Sequence, residues 1–173
     1  MYLLGEQPAY ADQLINRLQR IPSQLLEGLA PAGEPIRIER SDDLTRVLPG
    51  NQLYLIENGL LHALVEERPL FYLQEGDLLG LRQGLDLPSC RYANEEPLSL
   101  IPYPRSEVFR HIYADEQRQE LFIQYLVGHT ALLSDALARL KQPEIRPATG
   151  FQHFAAGEEL IRQGDEADHV FII

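Results

Sequence analysis

The sequence has one cysteine (Cys90), one lysine (Lys141), one methionine and no tryptophan in 173 residues. A single thiol excludes an internal disulfide framework and leaves no Cys-based zinc set. Apart from Lys141 the basic residues are arginines, scattered so that no short window forms a basic cluster, and the formal net charge is −11. Nucleic-acid binders draw most of their affinity from grouped cations that neutralise phosphates. The charge therefore argues against a nucleic-acid partner. No continuous apolar run approaches the roughly 18 residues of a membrane span, so no membrane partner is expected. The opening residues, MYLLGEQPAYADQL, have neither a basic n-region nor an apolar h-region, so the expected location is the cytoplasm. Hydrophobic residues at 45% and charged residues at 24% are ordinary globular values. The length suits one full domain plus part of another.

The pattern changes along the chain. In residues 8–29, Leu14, Ile15, Leu18, Leu25, Leu26 and Leu29 recur at helical spacing. Pro22 interrupts them and Ser23 can cap a second helix, so residues 1–33 read as a two-helix leader. Residues 34–105 read as short strands. Residues 36–40 alternate, and residues 53–56 end at Glu57-Asn58-Gly59, a hairpin signal. Residues 60–65 resume the strand pattern, Glu66-Glu67-Arg68-Pro69 turns it, and residues 70–73 and 97–101 add two more strands. Such a series predicts an antiparallel barrel or sandwich.

Residues 106–142 read as helices with a break at Asp115-Glu116. Leu126, Leu133 and Leu140 are seven apart, and Leu121, Tyr125, Leu132 and Ala136 follow an adjacent strip. One strip can cover the barrel while the other meets a partner helix, or both can be covered by the chain itself. Pro143 and Pro147 bracket a linker. Residues 151–173 return to strands and turns and end on Val170-Phe171-Ile172-Ile173, an apolar strand that would expose an unpaired edge. The expectation is that the chain continues in a longer protein.

The two strand regions resemble each other. Residues 36–43 followed by Leu53-Tyr54-Leu55-Ile56-Glu57-Asn58-Gly59 parallel residues 160–168 followed by 170–173. With Gly76-Asp77-Leu78-Leu79-Gly80, this order resembles the cyclic nucleotide-binding domain family. The resemblance implies a mainly β fold with flanking helices, an antiparallel β jelly roll followed by a long helix. It also implies a tandem arrangement, with the second barrel starting at 147 and incomplete by 173.

The resemblance assigns a phosphate cassette to Gly76, Asp77, Leu79, Gly80, Leu81 and Arg82. Where the family places a glutamate for the ribose hydroxyl, this chain has Leu81, which accepts nothing. The family's phosphate-binding arginine falls near Leu87-Pro88-Ser89; Arg91 comes several positions later and belongs to the next strand. Each lost charge-assisted bond is worth roughly 1.5–3 kcal/mol, about tenfold or more in affinity. The first domain is thus expected to be degenerate and non-binding, with cyclic AMP left to the second.

No constellation supports catalysis. His62, His111, His129, His153 and His169 have no metal-ligand spacing, and the serines lie in no nucleophile elbow. Cys90 reads as a structural or surface thiol that neighbouring Arg91 could acidify. Asp42-Asp43, Glu66-Glu67 and Glu95-Glu96 sit at turns. The expected function is a non-enzymatic, cyclic-nucleotide-responsive regulator without a cofactor, homodimeric through the helix after Ser106. The alternatives are a transcription regulator of the same superfamily with its DNA-binding part beyond Ile173, a sensor for another downstream effector, and a cupin-type enzyme, for which the strands supply only His62.

Overall fold

A computed structural model describes residues 2–3, 9–65, 67–82 and 90–140. The chain divides into two units, Met1–Lys141 and Gln142–Ile173, and all described residues belong to the first. The linker and second-barrel expectations, and the Leu87-Pro88-Ser89 position, lie outside the described residues.

Helix α1 spans Ala9–Leu26. Ala11, Ile15, Leu18, Ile21, Leu25 and Leu26 are all buried along one face. The expected break at Pro22 does not occur: one helix runs through it. Proline removes one backbone donor, but Leu25 and Leu26 continue the apolar face beyond it and that burial keeps the last turn helical.

The described residues form eight strands: β1 (Tyr2–Leu3), which precedes α1, and then β2 (Ile36–Ile38), β3 (Gln52–Asn58), β4 (Leu60–Val65), β5 (Arg68–Gln74), β6 (Leu78–Leu79), β7 (Arg91–Ala93) and β8 (Leu98–Pro104). They form two antiparallel four-stranded sheets, ordered β1-β5-β4-β7 and β2-β8-β3-β6. Leu53, Tyr54, Ile56, Leu61, Ala63, Phe71, Leu73, Leu98 and Leu100 share the core.

The expected hairpin at Asn58-Gly59 is corrected by this pairing. β3 and β4 belong to different sheets, so the chain crosses between sheets there. Gly59 has φ +106°, and a Cβ would stand 2.8 Å from the carbonyl oxygen of Pro97. The glycine serves a tight crossing against the start of β8, where Pro97 and Leu98 leave no room for a side chain. The hairpin joins β4 to β5 instead, and Pro69 enters β5 at a register shift opposite Leu64, where the ladder can do without its donor.

Two helices complete the unit: α2, Arg105–Tyr113, and α3, Glu116–Leu140. The break at Asp115 is as expected, and the Asp115 carboxylate accepts from the amide of Arg118 at 2.8 Å. α1 packs on both helices. Gly128 of α3 lies against Leu18, and the Arg17 guanidinium donates to Gln124 at 3.0 Å. By length and composition, residues 116–138 could cross a membrane. That differs from the reading of continuous runs, because here the apolar residues alternate with uncharged polar ones such as Gln124, Thr130 and Ser134. A core or interface helix meets the same criterion.

Candidate functional site

The segment Gly76–Arg82 leaves β5, forms β6 and stops where the helices meet the sheet. Its start is a closed turn. The amide of Asp77 donates to Gln74 O at 2.9 Å, and the fully buried Asp77 carboxylate accepts from the amide of Gln74 at 3.0 Å. Gly76 has φ +85°, and a Cβ there would come within 2.7 Å of the carbonyl oxygen of Gln19, so α1 rests directly on this turn. A side chain at 76 would push the helix away.

β6 ties the segment to α3. The amide of Leu78 donates to the hydroxyl oxygen of Tyr125 at 3.3 Å, inside the core. Burial, and next the negative charge of Asp77, push the Tyr125 hydroxyl well above the ordinary phenol range, so it stays neutral. Leu79 is core and pairs with Tyr54. Tyr125 and Leu132 are 1% and 2% exposed, so the inner strip of α3 covers the barrel.

Gly80, at φ +106°, sets the direction of the next peptides. The carbonyl of Gly80 accepts from the Arg105 guanidinium at 2.6 Å and that of Leu81 at 3.2 Å. The guanidinium also lies 5.2 Å from the centre of the Phe109 ring. Leu81 packs half-buried against the core, at the position where the resemblance calls for glutamate. Arg82 sits beside Cys90 and Tyr92, whose own groups neighbour each other.

Burial pushes both the Cys90 thiol and the Tyr92 hydroxyl up, and the positive charge of Arg82 partly opposes this. The expectation that Arg91 acidifies Cys90 is corrected. Successive strand residues face opposite ways, and Arg91 pairs with Glu67 across the β4–β5 hairpin. Cys90 is a buried thiol held protonated.

Among the described residues His62, His111 and His129 serve packing and helix contacts, and His153 and His169 lie outside the described residues. His62 meets Tyr72 edge to face at 4.7 Å, and a ring nitrogen of His111 lies 2.9 Å from Glu27 O. His129 lies 4.3 Å from the Tyr125 ring, and its buried Nε2 has no hydrogen-bond partner; burial lowers its pKa to about 4. Of the three expected interface leucines, Leu126 and Leu133 are each 42% exposed, beside exposed Ile123, Val127 and Leu137. The side chain of Leu140 lies outside the described residues.

Sequence reasoning missed Arg105. One signal was available: it follows Pro104 at the first position of a helix, where the helix dipole disfavours a cation. A cation there needs a partner elsewhere.

No family model matches the sequence and no curated protein matches it. Solved structures resemble it. A transcriptional regulator from Thermotoga maritima aligns with 67% of this chain and 97% of its own, at 15% identity and a TM-score of 0.50. CprK in complex with OCPA aligns with 75% of this chain and 57% of its own, at 13% identity and a TM-score of 0.47. FixK2 from Bradyrhizobium japonicum aligns with 63% and 58%, at 19% identity and a TM-score of 0.45. With the sheet order and helices described above, the first of these likenesses settles the fold: it is mainly β with flanking helices, an antiparallel jelly roll of the cyclic nucleotide-binding type followed by a long helix.

Proposed function

We propose that this chain is a non-enzymatic regulatory module of the cyclic nucleotide-binding type, working in the cytoplasm, whose first domain is a scaffold with a degenerate cassette. One observation carries the reading. Half-buried Leu81 packs on the core where a ribose-binding carboxylate would have to face a ligand. Its carbonyl and that of Gly80 are already taken by Arg105. Cyclic AMP is then left to a second domain that starts near residue 147. The outer face of α3, through Leu126, Leu133 and Leu140, joins two copies.

Titration calorimetry of cyclic AMP and cyclic GMP into the 173-residue chain, with Leu81→Glu alongside, tests this. The expected result is no heat of binding from the first domain in either protein, because a carboxylate alone does not supply the missing arginine. Micromolar binding that is abolished by Arg82→Ala would sink the degenerate-cassette reading.

A second reading is a transcription regulator with a DNA-binding part beyond Ile173. The fold likeness to the Thermotoga maritima regulator favours it. A basic recognition helix in a longer form of the chain would support it, and a second full barrel there would support the first reading.

A further inference from the structure

Arg105 stands at the first position of α2 and is tied on two sides. Its own amide donates to Asn51 O at 3.0 Å, at the entry to β3. Its guanidinium bridges the carbonyls of Gly80 and Leu81 at 2.6 and 3.2 Å. From there an aromatic line leads outward. The guanidinium lies over Phe109 at 5.2 Å, and Phe109 meets Phe122 of α3 edge to face at 5.9 Å and stacks on Tyr113 at 6.1 Å.

The two carbonyl bonds fix two consecutive peptide planes. In a trans peptide the C=O and N–H point opposite ways, so the amides of Leu81 and Arg82 face away from Arg105. Turning either plane breaks a bond to Arg105. Gly80, in the left-handed region at φ +106°, is what allows the planes their present direction.

We propose that Arg105 is a positioning residue that couples the backbone conformation of residues 80–82 to the packing of α2 on α3, through its bonds to Gly80 and Leu81 and its contact with Phe109. The clasp does not depend on what, if anything, the cassette binds. Turning the planes would release the Arg105 guanidinium, and that release is the second arrangement the proposed coupling requires.

A double-mutant cycle on the full chain tests it, read by amide hydrogen exchange at 109–122. Gly80→Ala forces the backbone at 80 out of its left-handed geometry. In the Arg105 background this speeds exchange at 109–122 by about tenfold, and in the Arg105→Met background by less than about twofold. Exchange at 53–56, in the central strand β3, stays unchanged in all four proteins and reports that the barrel is intact.

Equal acceleration in both backgrounds overturns the proposal, because packing alone then carries the effect. No acceleration in either overturns it as well. Should Gly80→Ala fail to fold, Leu81→Gly loosens the same planes and the cycle is read in the same way.

Discussion

Gly28 and Gly76 share nearly the same backbone angle, φ +81° and +85°, but not the same surroundings. A Cβ on Gly28 meets nothing within 4 Å, whereas one on Gly76 meets the α1 backbone at 2.7 Å. Gly28→Ala is expected to lose only the cost of a left-handed residue, about 1 kcal/mol. Gly76→Ala adds displacement of α1 and is expected to lose about 3 kcal/mol. Urea unfolding of the two variants measures the difference; equal losses would mean that α1 is not seated on the turn. His129 carries a pH prediction. Its pKa in the folded chain, about 4, lies below its ordinary value of 6.5. The unfolded chain therefore takes up the proton first as pH falls. Stability is at its full value well above pH 6.5 and declines as pH falls towards 4, by no more than about 3.5 kcal/mol from this group. His129→Gln should flatten that part of the profile, and an unchanged slope would exclude His129 as its source. At this scale the sequence was partly legible. The glycines of the cassette could be recognised, but their neighbours are long-range, and Arg82 rather than adjacent Arg91 reaches Cys90.

Elements were easier to read than their pairing. Short apolar runs bounded by turn residues located β3, β4 and β5, and helical spacing located α1 and α3, because each records which residues are buried. Burial alone does not say which sheet a strand joins, so Asn58-Gly59 looked like a hairpin although it is a crossing. Propensity likewise ends a helix at Pro22, where the apolar face continues it. The two strips of α3 were legible for the same reason: Tyr125 and Leu132 are buried while Leu126 and Leu133 are half-exposed. The polar end of the inner strip was not legible, since its partner is the amide of Leu78, 47 residues away. Tyr125→Phe keeps the ring packing and leaves that buried amide without an acceptor. The expected loss is about 1–3 kcal/mol, seen in thermal or urea unfolding, with faster exchange at Leu78 ahead of the central strands. A neutral Tyr125→Phe would mean that the strand is held by β3 pairing alone.

For the whole molecule the apolar outer face of α3 and the charge pull in opposite directions. Ile123, Leu126, Thr130, Leu133 and Leu137 follow one another in alternating steps of three and four, the spacing of a two-helix seam, and all are exposed in the single chain. Burying that seam against a second copy favours association, whereas two chains each carrying −11 repel one another. Salt screens the repulsion, with a Debye length of about 10 Å at 0.1 M, and leaves apolar burial nearly untouched. The dimer is therefore expected to tighten as salt rises from about 20 to 300 mM, the ordinary screening range. Leu133→Glu, which places a carboxylate in the seam, is expected to weaken it by about tenfold or more. Light scattering across a concentration series reads both. A mass that stays at 19.7 kDa at the highest concentration rejects the dimer. A dimer that loosens with salt instead places the contact on ion pairs, away from the leucines of α3.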